Sequence, residues 1–149
     1  MKKINQDQFG DKGNCFAACV ASILELPLDA VPNLCQGDSD WFLGFIQWLD
    51  FYGLSSLNIN IEQDNRELLL KKFCRGYHIA GVENDNGIKH AVVIKNGSIV
   101  WDPMPDCFKQ ITDSSRIVDV QIFIAINAND LVFNLSRWIN VNGCEEASI

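Results

Sequence analysis

Histidine occurs only twice in this chain of 149 residues, at His78 and His90, so any chemistry that needs an imidazole has two places to look. Positive charge is also scarce. Lys and Arg total 12 against 19 Asp and Glu, and the net charge is -7 with no basic cluster. That excludes nucleic acid or an anionic membrane surface as the expected main partner. No apolar run is long enough to span a bilayer: the longest, from about Trp41 to Leu57, is broken by Gln47, Asp50 and Gly53. Nor does Met1-Lys2-Lys3-Ile4-Asn5-Gln6 lead into the apolar segment of a signal peptide. The expected compartment is therefore the reducing cytoplasm, where the six cysteines stay free thiols rather than a disulfide framework. None of them forms a CxxC pair. Structural zinc on Cys15 and Cys19, completed by His78 or His90, is the minor alternative. The expectation is no metal and no cofactor. No repeat, low-complexity tract or linker divides the chain, so residues 1–149 read as one domain.

What is present begins at Gly13-Asn14-Cys15-Phe16-Ala17-Ala18-Cys19-Val20-Ala21-Ser22-Ile23-Leu24. A polar loop gives way to an apolar helical pattern, with Asn14 as the expected N-cap and Cys15 in the first turn. Unpaired backbone N–H groups and the positive end of the helix dipole favour a thiolate there. Phe16, Val20, Ile23 and Leu24 recur at helical spacing and anchor the helix in the core. A rigid helix with a cysteine at its tip is a common mount for a nucleophile; the plainer alternative is a small buried hydrophobe.

The helix is expected from Cys15 to about Leu26, stopped by Pro27, with one helical turn at Leu28–Val31 before Pro32. Asn33 to Asp40 reads as loop, with Asp38 or Ser39 capping a largely buried helix from Trp41 to Tyr52. Leu57 to Ile61 alternates like a strand, and Arg66 to Cys74 reads as helix. From Tyr77 the period becomes that of strands: Tyr77–Val82, His90–Ile94, Ile99–Asp102 and the long Ile117–Ile126. Asn84–Gly87 is loop, Asn96-Gly97 is a hairpin signal, and Met104–Ser115 is irregular. A short helix is expected at Asp130–Trp138, with Glu145–Ile149 frayed. Helices first and an antiparallel sheet after them make an α+β protein.

A cysteine nucleophile needs a base and a group to orient that base. His90 opens one hairpin strand and Asp102 closes its partner. With a two-residue turn the carboxylate faces away from the imidazole. One extra residue sets Asp102 opposite Val92, on the face of His90. The expectation is therefore an odd-numbered turn or a bulge at Gly97. The plain alternatives are a strand-end histidine and an Asp-Pro turn opener. His78, mid-strand, reads as filler and only secondarily as a base. For the oxyanion, the Cys15 N–H is one donor, and Gln6 and Gln8 are equal candidates for the second.

Glutamine upstream, Gly-Asn-Cys-Phe opening a helix, His-Ala-Val-Val, a hairpin and Trp-Asp-Pro together resemble the papain-like cysteine peptidase superfamily. The pattern is similar to the bacteriocin-processing peptidase domains fused to transporters, and to small bacterial and phage proteins. The matching segments are Gln6-Asp7-Gln8-Phe9-Gly10, Gly13–Cys19, Leu26–Pro32, His90–Val93 and Trp101-Asp102-Pro103, in order between Gln6 and Ile126. The resemblance implies N-terminal helices packed on a C-terminal antiparallel sheet, with Cys15 as nucleophile, His90 as base and Asp102 as orienter. Aligned on Phe9-Gly10, the oxyanion glutamine is Gln6; the family's spacing to the cysteine favours Gln8. The implied activity is hydrolysis of an amide, peptide or isopeptide, through an acyl-enzyme, with acyl transfer as a variant and a peptide or protein as substrate. The competing reading is a catalytically silent module of the same fold that binds a peptide or protein.

Overall fold

The computed structural model describes residues 1–33, 40–83 and 86–126. The expected cap at Asp38 or Ser39, the helix at Asp130–Trp138 and the fraying at Glu145–Ile149 lie outside the described residues, as does much of the loops at 33–40 and 84–87. In chain order come helices α1 (Cys15–Leu24) and α2 (Trp41–Asp50), strand β1 (Leu54–Asn60) and a short α3 (Arg66–Leu68) that runs into one π-helical turn, Leu69–Phe73. Then follow β2 (Tyr77–Glu83), β3 (Lys89–Lys95), β4 (Ser98–Trp101) and β5 (Ile117–Ala125). The five strands form one antiparallel sheet in the order β1-β5-β2-β3-β4. The protein is α+β, but helices and strands do not fully segregate along the chain. β1 precedes α3 and reaches the sheet edge by pairing with β5.

Both faces of the central strands are buried, because their residues alternate between two apolar clusters. Ile79, Ala91 and Val93 face α1 and α2, packing with Ala17, Val20, Phe45 and Leu49. Ala80, Val82, Val92, Ile94 and Val120 face the other way, onto Leu70, Cys74, Ile61 and Ile117. Such two-sided burial explains why β3 reads as a continuous apolar run. Each fully buried aliphatic or aromatic side chain contributes about 1.5–3 kcal/mol.

Three expectations need correction. First, α1 ends at Leu24, not Leu26. Glu25 takes a left-handed conformation (φ 58°), and the Leu26 N–H returns to the Ala21 carbonyl. Second, α2 is half-exposed rather than largely buried: only Phe45 and Leu49 are buried, while Leu43 points to solvent. Phe16 meets Trp41 and Phe45 edge-on, and Phe45 stacks on Trp48, so the aromatics gather on one side of the helix and leave the other uncovered. Third, the hairpin shift falls elsewhere. The turn has two residues, Asn96 (φ 52°) and Gly97 (φ 78°), both left-handed as a tight hairpin turn requires. Lys95 faces Ser98, Ile94 faces Ile99, but Val93 faces Trp101, so the extra residue is Val100. Position 97 also admits only glycine, because a Cβ there would lie 2.6 Å from the Leu70 carbonyl oxygen. The frame shift occurs, in β4 instead of at the turn, and the next residue, Asp102, comes to the side of His90.

Candidate active site

Cys15 is the first residue of α1, half-buried where the helix meets β3. Asn14 holds the N-cap position, but its side chain does not cap the helix. Its Oδ1 accepts from the Asp7 N–H (3.2 Å) and the Gln8 N–H (3.0 Å), and its Nδ2 donates to Asp7 Oδ1 (2.8 Å). The side chain is spent on folding the lead-in loop, so it does not compete with the sulfur for the first N–H groups of α1. The backbone N–H groups of Phe16 and, on β3, of Ala91 lie near enough to the Cys15 sulfur to favour its charged form.

His90, the second residue of β3, completes this cluster. The edge of its ring is turned toward the Cys15 sulfur, near enough for the two to bias each other's charge. Its Nε2 lies 2.7 Å from Asp102 Oδ1, which leaves Nδ1 for the sulfur. Asp102 is buried at 3% exposure and fully engaged. Its Oδ1 also accepts from the Met104 N–H (2.8 Å), and its Oδ2 accepts from the Ile111 N–H (2.7 Å). The turn after β4 thus wraps the carboxylate in backbone donors and aims one oxygen at the imidazole.

The electrostatics follow from this packing. Burial opposes charge on Cys15, but the His90 hydrogen bond, the Ala91 and Phe16 N–H groups and the His90 charge outweigh it, so the thiol ionises below its usual value. Burial likewise opposes charge on His90, yet Asp102 and Cys15 raise it to about 9. Asp102, also penalised by burial, is held below the usual carboxylate value by His90, Ile111 and Met104. The packing thus biases Cys15 toward thiolate and His90 toward imidazolium, with the carboxylate behind the ring.

Of the two upstream glutamines, the structure brings only Gln6 to this cluster. Gln6 is buried and lines the cleft with Cys15, His90 and Asp102, whereas Gln8 is exposed and does not line it. The reason is non-local. The Gln6 N–H donates to the Pro103 carbonyl at 2.9 Å, fastening the lead-in segment beside the Asp-Pro turn. Its side-chain Nε2 donates to the Gln8 carbonyl at 3.3 Å and retains a second N–H, while its Oε1 is buried without a partner.

The remaining candidates lie apart. His78, on β2, faces the Arg75 carbonyl through Nε2 (2.7 Å) and accepts the Phe123 N–H at Nδ1 (3.2 Å). Burial lowers its basicity. Cys19 is fully buried behind Cys15, and burial pushes its thiol well up. Cys15, Cys19, Cys74 and Cys107 are free. Among the described residues no three His, Cys, Asp or Glu side chains gather as a metal site, and no helix is long and apolar enough to cross a membrane. The cleft over the cluster holds about 810 Å³, and Phe9, Ile88, Met104, Lys109 and Arg116 are on its walls. Sequence reasoning missed the donors on Ala91, Met104 and Ile111, because a backbone N–H has no side-chain signature. No protein-family model matches the chain, and no curated protein matches it.

Proposed function

We propose that the protein is a thiol-dependent amide hydrolase of papain-like type, acting on a peptide or isopeptide bond. The observation that carries this reading is His90, whose ring bridges the Cys15 sulfur and the Asp102 carboxylate. A helix-tip cysteine packed against an antiparallel sheet, with the base on one strand and its orienter after the next, supports the papain-like form. In the reaction, the Cys15 thiolate attacks the carbonyl carbon and the C=O electron pair moves to oxygen. The oxyanion is held by the Cys15 N–H and the Gln6 Nε2–H. The His90 imidazolium gives its Nδ1 proton to the departing nitrogen as the C–N bond breaks, leaving a thioester and a free amine. His90, now neutral, takes a proton from water as the water oxygen attacks the thioester. Collapse releases the carboxylic acid and restores the thiolate–imidazolium pair.

The test joins labelling to turnover. At mildly acidic pH iodoacetamide alkylates Cys15 ahead of the other cysteines, and a mixed peptide pool gains new termini seen by mass spectrometry. Both effects disappear in His90→Ala. Even labelling of all thiols together with an uncut peptide pool overturns the reading.

A further inference from the structure

We infer that a second groove beside Cys15, walled by Asp119, receives a cationic group of the substrate, an ammonium or guanidinium near the carbonyl under attack. The inference rests on the thiol-hydrolase reading and adds a substrate class to it. The groove, about 510 Å³, shares Cys15 and His90 with the cleft above but not Gln6 or Asp102. Phe16 and Trp41 form its apolar side, and Gly81, Asp119 and Gln121 come from the sheet.

Asp119 on β5 pairs with Gly81 on β2, and the glycine is what seats the carboxylate. A Cβ on Gly81 would fall 2.5 Å from Asp119 Oδ1. Without it the carboxylate lies flat against the sheet, 17% exposed, facing the groove instead of open solvent. Gln121 is fixed beside it, its Oε1 accepting from Ser56 Oγ at 2.8 Å, which leaves the NH2 end for a substrate carbonyl. A cation already tests the site: Lys89 Nζ stands 3.3 Å from Asp119 Oδ2. The Lys89 side chain is 64% exposed, so this is a weak tether from the rim that an incoming cation can displace. Charges around the groove favour that exchange. Asp11 and Asp119 outnumber Lys89, while Cys15 and His90 offset each other. A substrate side chain with an apolar stem and a charged end would lay the stem on Trp41 and Phe16 and the charge on Asp119.

Two alkylating probes read this directly: the chloroacetamide of butylamine, which is neutral, and the mono-chloroacetamide of 1,4-diaminobutane, which carries an ammonium. With either, the Cys15 thiolate forms an S–C bond and chloride leaves. The full-length protein is labelled and the rate at each cysteine followed by mass spectrometry, with exposed Cys107 as internal reference. The cationic probe alkylates Cys15 about tenfold faster than the neutral one at low ionic strength, a ratio that added salt reduces. In Asp119→Asn the ratio falls toward one; in Lys89→Met it rises above wild type. A wild-type ratio matching that at Cys107, or one that survives Asp119→Asn, overturns the inference while leaving the thiol reading intact. A Cys15 that outpaces Cys107 with neither probe nor iodoacetamide overturns both.

Discussion

Two imidazoles lie on adjacent strands of this sheet, and they have opposite chemistry. His78 and His90 are both shielded from solvent, and burial presses both toward the neutral form. His78 meets only backbone: a carbonyl on one nitrogen and an N–H on the other, a pattern that fixes a neutral ring with its proton on Nε2. His90 meets a carboxylate and the Cys15 sulfur, whose charged form is favoured, and its proton is held to about 9. Burial alone therefore does not decide what a histidine does. The charge of its two partners does, and those partners are set by which strand end the ring occupies. His78, second in β2, meets the Phe123 N–H of β5, whereas His90, second in β3, lies where a helix tip and a turn converge.

The sharpest way to break this contrast is to remove the sulfur or the ring at the strand end. Cys15→Ala or His90→Ala lowers amide turnover at least about 1,000-fold, measured as product per enzyme under saturating substrate. If His90→Ala turns over normally while a His78 variant does not, the assignment of the two rings is reversed. Next in size is the oxyanion arm: Gln6→Ala lowers kcat about 100–1,000-fold, whereas Gln8→Ala leaves it within a few-fold.

The third prediction sharpens the comparison through pH. Turnover rises with pH through the lowered Cys15 value and falls near 9 as His90 loses its proton. Asp102→Asn removes the charge that helps hold this proton, so the alkaline limb moves down toward 6.5, the ordinary imidazole value. A limb that stays at about 9 would show that Asp102 does not set it. Thermal stability is a poorer probe of this pair. Below the thiol's ordinary value the folded state holds an extra proton on His90 but gives one up from Cys15, so the two contributions oppose each other.

The smallest effect is at the other histidine. His78→Gln keeps turnover within a few-fold and costs about 1–3 kcal/mol through unpaired backbone groups. Because the folded His78 is less basic than the unfolded one, its contribution is present above 6.5 and is lost as pH falls through the folded value. Chemical melts of wild type against His78→Gln between pH 5 and 7 show this as a smaller acid-side loss in the variant.

The parts of this arrangement that were legible in the sequence are the local ones. Apolar spacing after Cys15 placed the helix, β-branched runs placed the strands, and Asn96-Gly97 placed the hairpin, because each signal acts over a few residues. The need for a frame shift before Asp102 was also legible, since strand faces alternate strictly. Its position was not, since nothing in Ile99-Val100-Trp101 signals a bulge. Gln6 and Gln8 could not be separated for a similar reason, since the choice depends on a bond to Pro103. Asn14 resembles a helix cap in type and place, yet its amide is claimed by Asp7 and Gln8. α2 showed apolar residues around much of its circumference, and no sequence rule says which arc a neighbour will cover.

The lead-in segment has a consequence of its own. Lys2 and Ile4 are bound to Ser22 on α1, the Trp101 indole donates to the Ile4 carbonyl, and Gln6 is bound to Pro103. The first six residues therefore run as a strap between α1 and the end of β4 with its following turn. Loosening that strap would leave the nucleophile, ring and carboxylate in register while withdrawing the amide arm. Speed and architecture are thus governed by separate pieces of the chain, and evolution or an inhibitor could throttle one without dismantling the other.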